Sequence, residues 1–336
     1  MVLKKVLLKN AWEGRLRVNA LSSPSQHMST LLEEVSFTPA SSDELSHVYR
    51  AAVRKLKALL RPTLLFHVGA LLLLSIETSL FFFSAKKMVA TAFLLGGIFA
   101  TLFTYLVLLF YLQTRRRAEL AQLKEEFLHS CREQLSCDAH LVIAEALSRF
   151  SLYLDDFSSR LYEFPLLHPL LHFLHRDDLF CLNEQLLHAA VEEHLAQVRL
   201  TPLDLEVHAS CSRSYILLSK LYRRAARAYS DEAENAEKLA LQELHILQAY
   251  APDDPWVYEQ LERGYARLGM HKEQLVALES LARLRPQESQ ILFRLGGLYF
   301  YSGSNAKGLQ IYEQLKLLHL KKAEELIQRY GQNAIN

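Results

Sequence analysis

Two long apolar runs, separated by only two lysines, constrain this chain more than any other feature of its sequence. Residues 63–85 form a run of 23 and residues 88–112 a run of 25, and each exceeds the ~20 residues that a helix needs to cross the hydrocarbon core of a bilayer. Leu, Ile, Phe and Val dominate the first run. Their insertion energies of roughly −0.3 to −0.6 kcal/mol each outweigh the cost of about +3 kcal/mol that Glu77 imposes near the membrane centre. The sequence therefore predicts a transmembrane hairpin over residues 62–112.

Charge is divided unevenly along the 336 residues. Residues 1–117 hold 15 Lys and Arg against 6 Asp and Glu, whereas residues 118–336 hold 23 against 31. A basic part that contains the apolar runs suits contact with anionic lipid, and an acidic part suits solution. Nucleic acid is therefore not expected as a partner. The cations also cluster at the outer ends of the two runs, so the positive-inside rule predicts that both termini lie in the cytoplasm.

The segment before the first run is predicted to be a basic amphipathic helix over residues 42–61, preceded by a loosely ordered arm over residues 1–41. Ser41 and Glu44 form a capping box, which marks a helix start. Apolar side chains recur every three to four residues, and a parallel row of cations runs beside them. We expect anionic lipid head groups near these cations, which are Arg50, Arg54, Lys57 and Arg61. The alternative is a solvated charged face without a lipid partner.

Two features inside the hairpin predict how its helices pack. Small residues recur every four positions in the second run, at Ala92, Gly96, Ala100 and Thr104. Such a stripe lets another helix approach closely, and the short connection makes the first helix the expected neighbour. Glu77 is then expected to face the helix pair as a hydrogen-bonding group. The alternative is that this intramembrane carboxylate moves ions or protons, as in a small transporter subunit.

Residues 113–203 are predicted to be a cytosolic helical region. The helical spacing of apolar residues continues past the second run, so the membrane helix should extend into the cytoplasm. No strand-like alternation of any length follows. Further helices are expected over residues 139–162, from Pro169, and over residues 179–199 with Asp177 or Asp178 as the cap.

Histidines and cysteines in this region raise the question of a metal or redox site. His168, His172 and His175 share one predicted helix face, which could hold a metal ion. We favour ordinary surface or core histidines, because Pro169 interrupts the start of that helix and the chain is generally rich in histidine, with 14 in all. The four cysteines have no CxxC spacing, which is typical of a reducing compartment. No cofactor, metal or small-molecule substrate is expected; the alternative is an enzyme or metal protein that uses these histidines.

From Pro255 the sequence repeats itself with a period of 34 residues. Large apolar residues coincide along a first helix, glycines coincide at the turn, and apolar residues coincide again along a second helix. The matched pairs are Tyr258 with Leu292, Leu261 with Leu295, Tyr265 with Tyr299, Gly269 with Gly303, Leu275 with Leu309, Leu278 with Tyr312, and Leu281 with Leu315. A period of 34 with these residue types resembles the tetratricopeptide repeat, a helix pair that stacks on its neighbours. Asp254 and Pro255 are expected to cap and begin the first helix.

The resemblance implies an α-solenoid over residues 204–336. About three repeats are needed to bury their faces, so residues 215–250 are expected to supply a degenerate third pair and residues 321–330 a terminal cap. Glu262 and Gln274 depart from the family pattern, which favours small residues at these places.

In this family the first helix of each repeat builds the inner surface of the stack. Carried over by position, the resemblance implies a partner-binding surface made of Trp256, Glu259, Arg263, Gln290, Phe293, Arg294 and Phe300. Aromatic residues with scattered charges suit an amphipathic or extended peptide. The lysine and asparagine that clamp a chaperone's C-terminal carboxylate are missing, so that ligand is not expected. The alternative is that the aromatic residues only pack.

These observations predict an all-α protein, in which a two-helix transmembrane hairpin is followed by a cytosolic helical region and a tetratricopeptide-like solenoid. It is expected to be a membrane-anchored scaffold or adaptor that binds protein partners, and not an enzyme, since no GxSxG, GxGxxG or P-loop pattern occurs. The layout resembles bacterial inner-membrane proteins with cytosolic tetratricopeptide domains. The alternative is a secreted protein of an intracellular bacterium, because a hairpin with so short a turn also resembles chlamydial inclusion membrane proteins. Both termini would then face the host cytosol.

Overall fold

The structure is a computed structural model in which five stretches of the chain are described: residues 39–83, 88–134, 139–155, 168–225 and 227–330. Every regular element within these stretches is a helix and none is a strand, which confirms the all-α prediction. Of the predicted N-terminal arm, residues 1–38 lie outside the described residues, as does the connection between the apolar runs, whereas residues 39–41 already belong to the first helix. The capping box predicted at Ser41 and Glu44 therefore does not mark the start of that helix. The chain divides into two compact units, residues 1–48 and residues 49–336.

The two apolar runs lie in the two longest helices, α1 (Pro39–Phe83) and α2 (Met88–Gln134). α2 extends past residue 112 without a break, as the sequence predicts. α1 is also continuous, so no break in the backbone separates the predicted basic helix over residues 42–61 from the first apolar run. Pro62 lies inside α1, where its missing N–H removes one hydrogen bond of the helix.

Two shorter helices, α3 (His140–Asp155) and α4 (His168–Leu200), pack against α2 and against each other. An aromatic cluster joins α1, α2 and α3. Tyr49 meets Phe127 edge to face with ring centroids 5.3 Å apart, and Phe127 stacks on Phe150 at 4.9 Å. Such pairs contribute about 0.5–1.5 kcal/mol beyond the area that they bury.

The course of α4 differs from the prediction. The sequence predicts a short helix from Pro169 and a second one from residue 179, whereas the structure has a single unbroken helix. Asp178 does not cap a helix. It is buried, and its Oδ2 lies 2.8 Å from Nη1 of Arg116 on α2. A buried carboxylate requires a charged partner, and this partner comes from a helix that is distant in the sequence.

The remaining helices form successive pairs. Each helix contacts the next, and the pairs α7/α8 and α9/α10 coincide with the two predicted repeats. α5 and α6, joined by a short 3-10 turn, supply the predicted third pair, and α11 is the predicted terminal helix. Their bounds are α5 Leu205–Ala225, α6 Ser230–Tyr250, α7 Pro255–Leu268, α8 His271–Leu284, α9 Ser289–Tyr301, α10 Asn305–Leu318 and α11 Leu320–Tyr330.

Local signals position the repeat helices. Asp254 caps α7, because its side chain accepts a hydrogen bond from the amide of Trp256 (2.9 Å), and Pro255 is the first helical residue. Gly269 and Gly303 follow the first helices of the two repeats with φ of 71° and 76°. This left-handed conformation favours glycine, which explains the glycine match in the repeat.

One apolar core runs through α6, α7, α8 and α9. It includes Leu244, Leu261, Leu278 and Leu295, one from each helix, and each such side chain contributes roughly 1.5–3 kcal/mol when it is buried. Because the core crosses the boundary between pairs, neighbouring repeats stabilise one another.

Candidate partner-binding surface

The most apolar stretches of α1 and α2 lie on the outside of the protein. Two described helices, Leu45–Phe83 and Thr91–Gln134, are long and apolar enough to cross a membrane by length and composition alone. None of the most apolar stretch of either helix is buried within the protein. Phe82 and Phe93, for example, expose 76% and 79% of their surface. The core helix of a soluble domain would bury such a face.

Polar side chains connect α1 and α2 within these stretches. The Thr101 hydroxyl donates a hydrogen bond to Oε1 of Glu77 (2.7 Å), and Nδ1 of His67 lies within hydrogen-bond distance of the Tyr105 hydroxyl (2.9 Å). Phe66 stacks on the Tyr105 ring with centroids 5.4 Å apart. Thr101 and Tyr105 therefore mark the face of α2 that meets α1.

The predicted small-residue stripe lies on another face of α2. Its four members are exposed: Ala92, Gly96, Ala100 and Thr104. A Cβ added at Gly96 would meet no atom within 4 Å, so the prediction that the stripe packs against the first helix is wrong. The hydrogen bond between Thr101 and Glu77 accounts for the difference. In an apolar environment, leaving a carboxylate without a hydrogen-bond partner costs more free energy than packing two helix backbones at a larger distance.

Three of the residues predicted to bind a partner lie along α7. Trp256 is half-buried, and the guanidinium carbon of Arg213 on α5 lies 5.5 Å from the centre of its ring, a cation–π contact. Glu259 accepts a hydrogen bond from Nη2 of Arg263 one turn later (2.5 Å). The structure therefore brings an aromatic ring and an ion pair together on this helix.

Two further predicted residues, Gln290 and Phe293, lie on α9 beside the terminal helix. Phe293 is half-buried, with the ring of Tyr330 at 6.3 Å and the guanidinium of Arg329 at 5.8 Å from its ring centre. Gln290 is exposed, and its Oε1 accepts a hydrogen bond from Nζ of Lys322 (3.0 Å). A partner that reaches either residue therefore also meets α11.

Phe300 does not belong to this surface. Only 2% of it is exposed, and it lies in a core cluster with Leu315 and Leu326. Gly308 on α10 makes the room, since a Cβ added there would lie 2.7 Å from the Phe300 ring. The residue was assigned to the surface by its position in the repeat, and that prediction is wrong because a glycine in the neighbouring helix admits the ring to the core.

Arg294 joins two repeats instead of standing free on the surface. Its Nη1 lies 2.7 Å from Oε2 of Glu262, which is buried on α7. Gln274 of α8 donates a hydrogen bond to Oε1 of the same carboxylate (3.0 Å). Glu262 and Gln274, the two residues that depart from the family pattern, are therefore hydrogen-bonded to each other. The Glu262 carboxylate also holds Arg294 between α7 and α9.

α5 adds cations to this side of the domain that the repeat pattern did not predict. Arg213, Lys220 and Arg224 recur at intervals of seven and four residues, which places them on one helix face. Near them, both oxygens of Glu237 accept hydrogen bonds from Arg267 of α7, at 2.6 and 2.8 Å. The spacing was visible in the sequence, but the degenerate pair lacks the residues that mark the phase of the repeat.

The predicted histidine cluster is only partly described. The side chains of His168 and His172 lie outside the described residues, whereas His175 is buried. Burial and then the positive charge of Arg116 lower the pKa of His175 to about 4. In the described stretches, no group of three His, Cys, Asp or Glu residues could hold a metal ion. Cys211 is buried too, which raises its pKa to about 12 and disfavours the reactive thiolate.

No known protein-family profile matches the chain, and neither does any curated protein sequence. Solved structures with similarity include MamA of strain MSR-1, at a TM-score of 0.32 and 19% identity, covering 57% of this chain and 94% of that one. TTC0263, a tetratricopeptide repeat protein of Thermus thermophilus, matches at a TM-score of 0.32 and 21% identity, covering 69% and 96%. MamA of Desulfovibrio magneticus RS-1 matches at 0.25 and 16%, covering 51% and 96%.

Similarities of this size carry no argument about function. The tetratricopeptide-like character of the domain rests on its own helix pairs, their 34-residue period and their shared core.

Proposed function

We propose that α1 and α2 anchor this protein in a membrane and that the helix pairs beyond them bind partner proteins. The proposal depends on one contrast. The apolar stretches of α1 and α2 expose their side chains, whereas α5 to α11 bury theirs in a common core. A large exposed apolar surface is unfavourable in water, and helices of this length satisfy their own backbone groups in lipid. The charge distribution and the layout support an orientation with both termini in the cytoplasm, in a bacterial inner membrane.

Cations near the start of the first apolar run support contact with anionic lipid. Arg54 is exposed and Lys57 is half-buried, with the buried Leu56 on another side of α1. Each cation near an anionic leaflet contributes about 1 kcal/mol. Arg50 and Arg61 continue the same helical spacing, and we include them in the proposed lipid contact.

The proposed binding surface consists of Trp256, Glu259, Arg263, Gln290 and Phe293, with Arg294 holding the two repeats in place behind it. A partner bound there is confined to the membrane surface. Its effective concentration near other membrane components rises without any further contact. The proposed function is therefore scaffolding, in which no chemical step takes place.

Alkaline washing and cysteine labelling test the anchor. We expect the full chain to remain with the vesicles at high pH. In a variant without reactive native cysteines, Lys87→Cys should react only with a reagent on the far side of the membrane and Glu313→Cys only with a reagent on the cytoplasmic side. Release by alkali, or reaction of both positions from one side, would contradict the hairpin.

Affinity capture from detergent-solubilised membranes tests the binding surface. The Trp256→Ala/Phe293→Ala variant should recover fewer partners than the unmodified chain. The matched control is Val276→Ala/Leu317→Ala, which also removes two apolar side chains but from exposed positions on the second helices. Equal recovery by both variants would exclude the surface.

A further inference from the structure

A row of positive charges crosses α5 and α7. On α5 it consists of Arg213, Lys220 and Arg224, and on α7 of Arg263 and Arg267; we call these five residues the cationic row. On each helix the members recur at intervals of four or seven residues, so they share one face. Each is exposed or half-buried, which leaves the row accessible to a partner.

Side-chain contacts bring the two halves of the cationic row together. The Arg213 guanidinium lies over the Trp256 ring at 5.5 Å. At the other end of the row, Nη2 of Arg223 donates a hydrogen bond to the carbonyl of Arg267 (3.3 Å). The first helices of two successive pairs therefore present their cations, and one exposed edge of Trp256, side by side.

Carboxylates balance part of this charge, and Glu145 and Glu206 act on Arg213. Glu259 pairs with Arg263 at 2.5 Å and Glu237 pairs with Arg267 at 2.6 Å. Lys220 has no carboxylate at ion-pair distance among the residues that the structure describes. Partial burial lowers the pKa of its ammonium group and Arg267, Arg224 and Arg263 lower it further, while the negative charge of Glu237 opposes them in part.

The cationic row holds like charges close together, and their repulsion costs free energy. A bound anion would reduce this repulsion. The surrounding domain indicates which kind of anion. Residues 118–336 are acidic overall, with 23 cations against 31 carboxylates. Such a domain repels an extended polyanion or an anionic membrane at long range, whereas a short segment meets only the local positive field. The stretch from Arg213 to Arg224 spans ~16 Å of helix, which matches about five residues of extended peptide.

We propose that the cationic row, with the exposed edge of Trp256, binds a short acidic segment of a partner protein. This inference rests on the proposed function and names the partner chemistry for the same side of the domain. Carboxylates of the segment pair with Lys220 and the neighbouring guanidinium groups, while an apolar residue of the segment covers the free edge of Trp256.

Fluorescence anisotropy of a fluorescein-labelled decapeptide of alternating Glu and Gly tests the proposal, with the full chain in a non-ionic detergent. The peptide should bind the unmodified chain with an affinity that falls as salt rises, and a Lys/Gly peptide should not bind. Lys220→Glu should weaken binding by about tenfold or more, and Lys220→Gln by less. The matched control is Lys238→Glu, which changes net charge equally on α6, a helix that contributes no member of the row, where Lys238 pairs with Glu234.

Several outcomes would overturn the proposal. These are no binding of the acidic peptide, equal weakening by Lys220→Glu and Lys238→Glu, or stronger Lys220-dependent binding of a single-stranded oligonucleotide. Trp256 emission, isolated in a Trp12→Phe variant, should also change when a peptide with one central Gly replaced by Leu binds, and an unchanged spectrum with that peptide would remove Trp256 from the site. Captured proteins that are lost with Trp256→Ala/Phe293→Ala but kept with Lys220→Glu would refute the acidic segment while leaving the scaffold proposal intact.

Discussion

Replacing Phe300 by alanine tests whether this residue is part of the core or part of a binding surface. The side chain is 2% exposed and lies among Leu292, Leu315 and Leu326, so its removal should cost about 3–5 kcal/mol. Its neighbour Tyr301 is 64% exposed. Tyr301→Ala should change stability by less than about 0.5 kcal/mol. Two adjacent aromatic residues of one helix should therefore behave quite differently.

A substitution at Gly308 provides a second test of the position of Phe300. A methyl group at position 308 would lie 2.7 Å from the Phe300 ring, so Gly308→Ala should destabilise the unmodified protein by about 1–3 kcal/mol. In the Phe300→Ala background the ring is gone. The same substitution should then stabilise α10 by up to about 1 kcal/mol, because alanine favours a helix more than glycine does. The effect should reverse its sign between the two backgrounds.

Hydrogen exchange of the detergent-solubilised full chain, resolved by peptide, measures the local opening free energy of α9, α10 and α11. Phe300→Ala should accelerate exchange in all three helices, and Tyr301→Ala serves as the control. Similar exchange in the two alanine variants would refute the assignment of Phe300 to the core. Equal destabilisation by Gly308→Ala in both backgrounds would refute the close contact between positions 300 and 308.

Buried polar groups lead to three other predictions. Glu262→Ala removes the partner of Arg294 and should cost about 1–3 kcal/mol in thermal unfolding, whereas Glu262→Gln, which keeps an acceptor, should cost less. Burial and then Arg213 lower the pKa of His194 to about 4, so the native state disfavours its proton. The neutral His194 side chain therefore stabilises the native state fully above its unfolded pKa of about 6.5. This stabilisation is lost as pH falls from 6.5 to about 4, and the loss amounts to roughly 3 kcal/mol. His194→Gln should make the free energy of unfolding less dependent on pH in this range. The buried Cys211 thiol, with its raised pKa, should react with maleimide at neutral pH only as the protein opens, so a rate independent of denaturant would contradict its burial.

Much of the repeat domain could be predicted because its signals are local. Asp254 needs only the amide of Trp256, two residues away, to cap α7. Gly269 and Gly303 are required by the backbone conformation at their own positions. The positions of Trp256 and Phe293 on their helices follow from the helical period alone, and the structure places both, half-buried, on the first helices of successive repeats.

Contacts between distant parts of the chain account for the predictions that were wrong. The sequence predicts Asp178 as a possible helix cap, whereas in the structure it pairs with Arg116 of another helix. The repeat pattern predicts Phe300 at the surface, whereas in the structure its ring enters the core beside Gly308 of the next helix. In neither case does the residue's own sequence neighbourhood reveal the partner.

The sequence by itself determined the helical class, the two apolar runs, the period of 34, the cap of α7 and the glycine turns after α7 and α9, because each follows from residue types along the chain and does not depend on which helices meet. Only the tertiary structure decided which face of α2 meets α1, that Arg294 pairs with Glu262, and that the cations of α5 and α7 converge on one side. These outcomes depend on how helices rotate against one another. That rotation is set by hydrogen bonds, ion pairs and side-chain volumes between residues far apart in the chain, which no local pattern records.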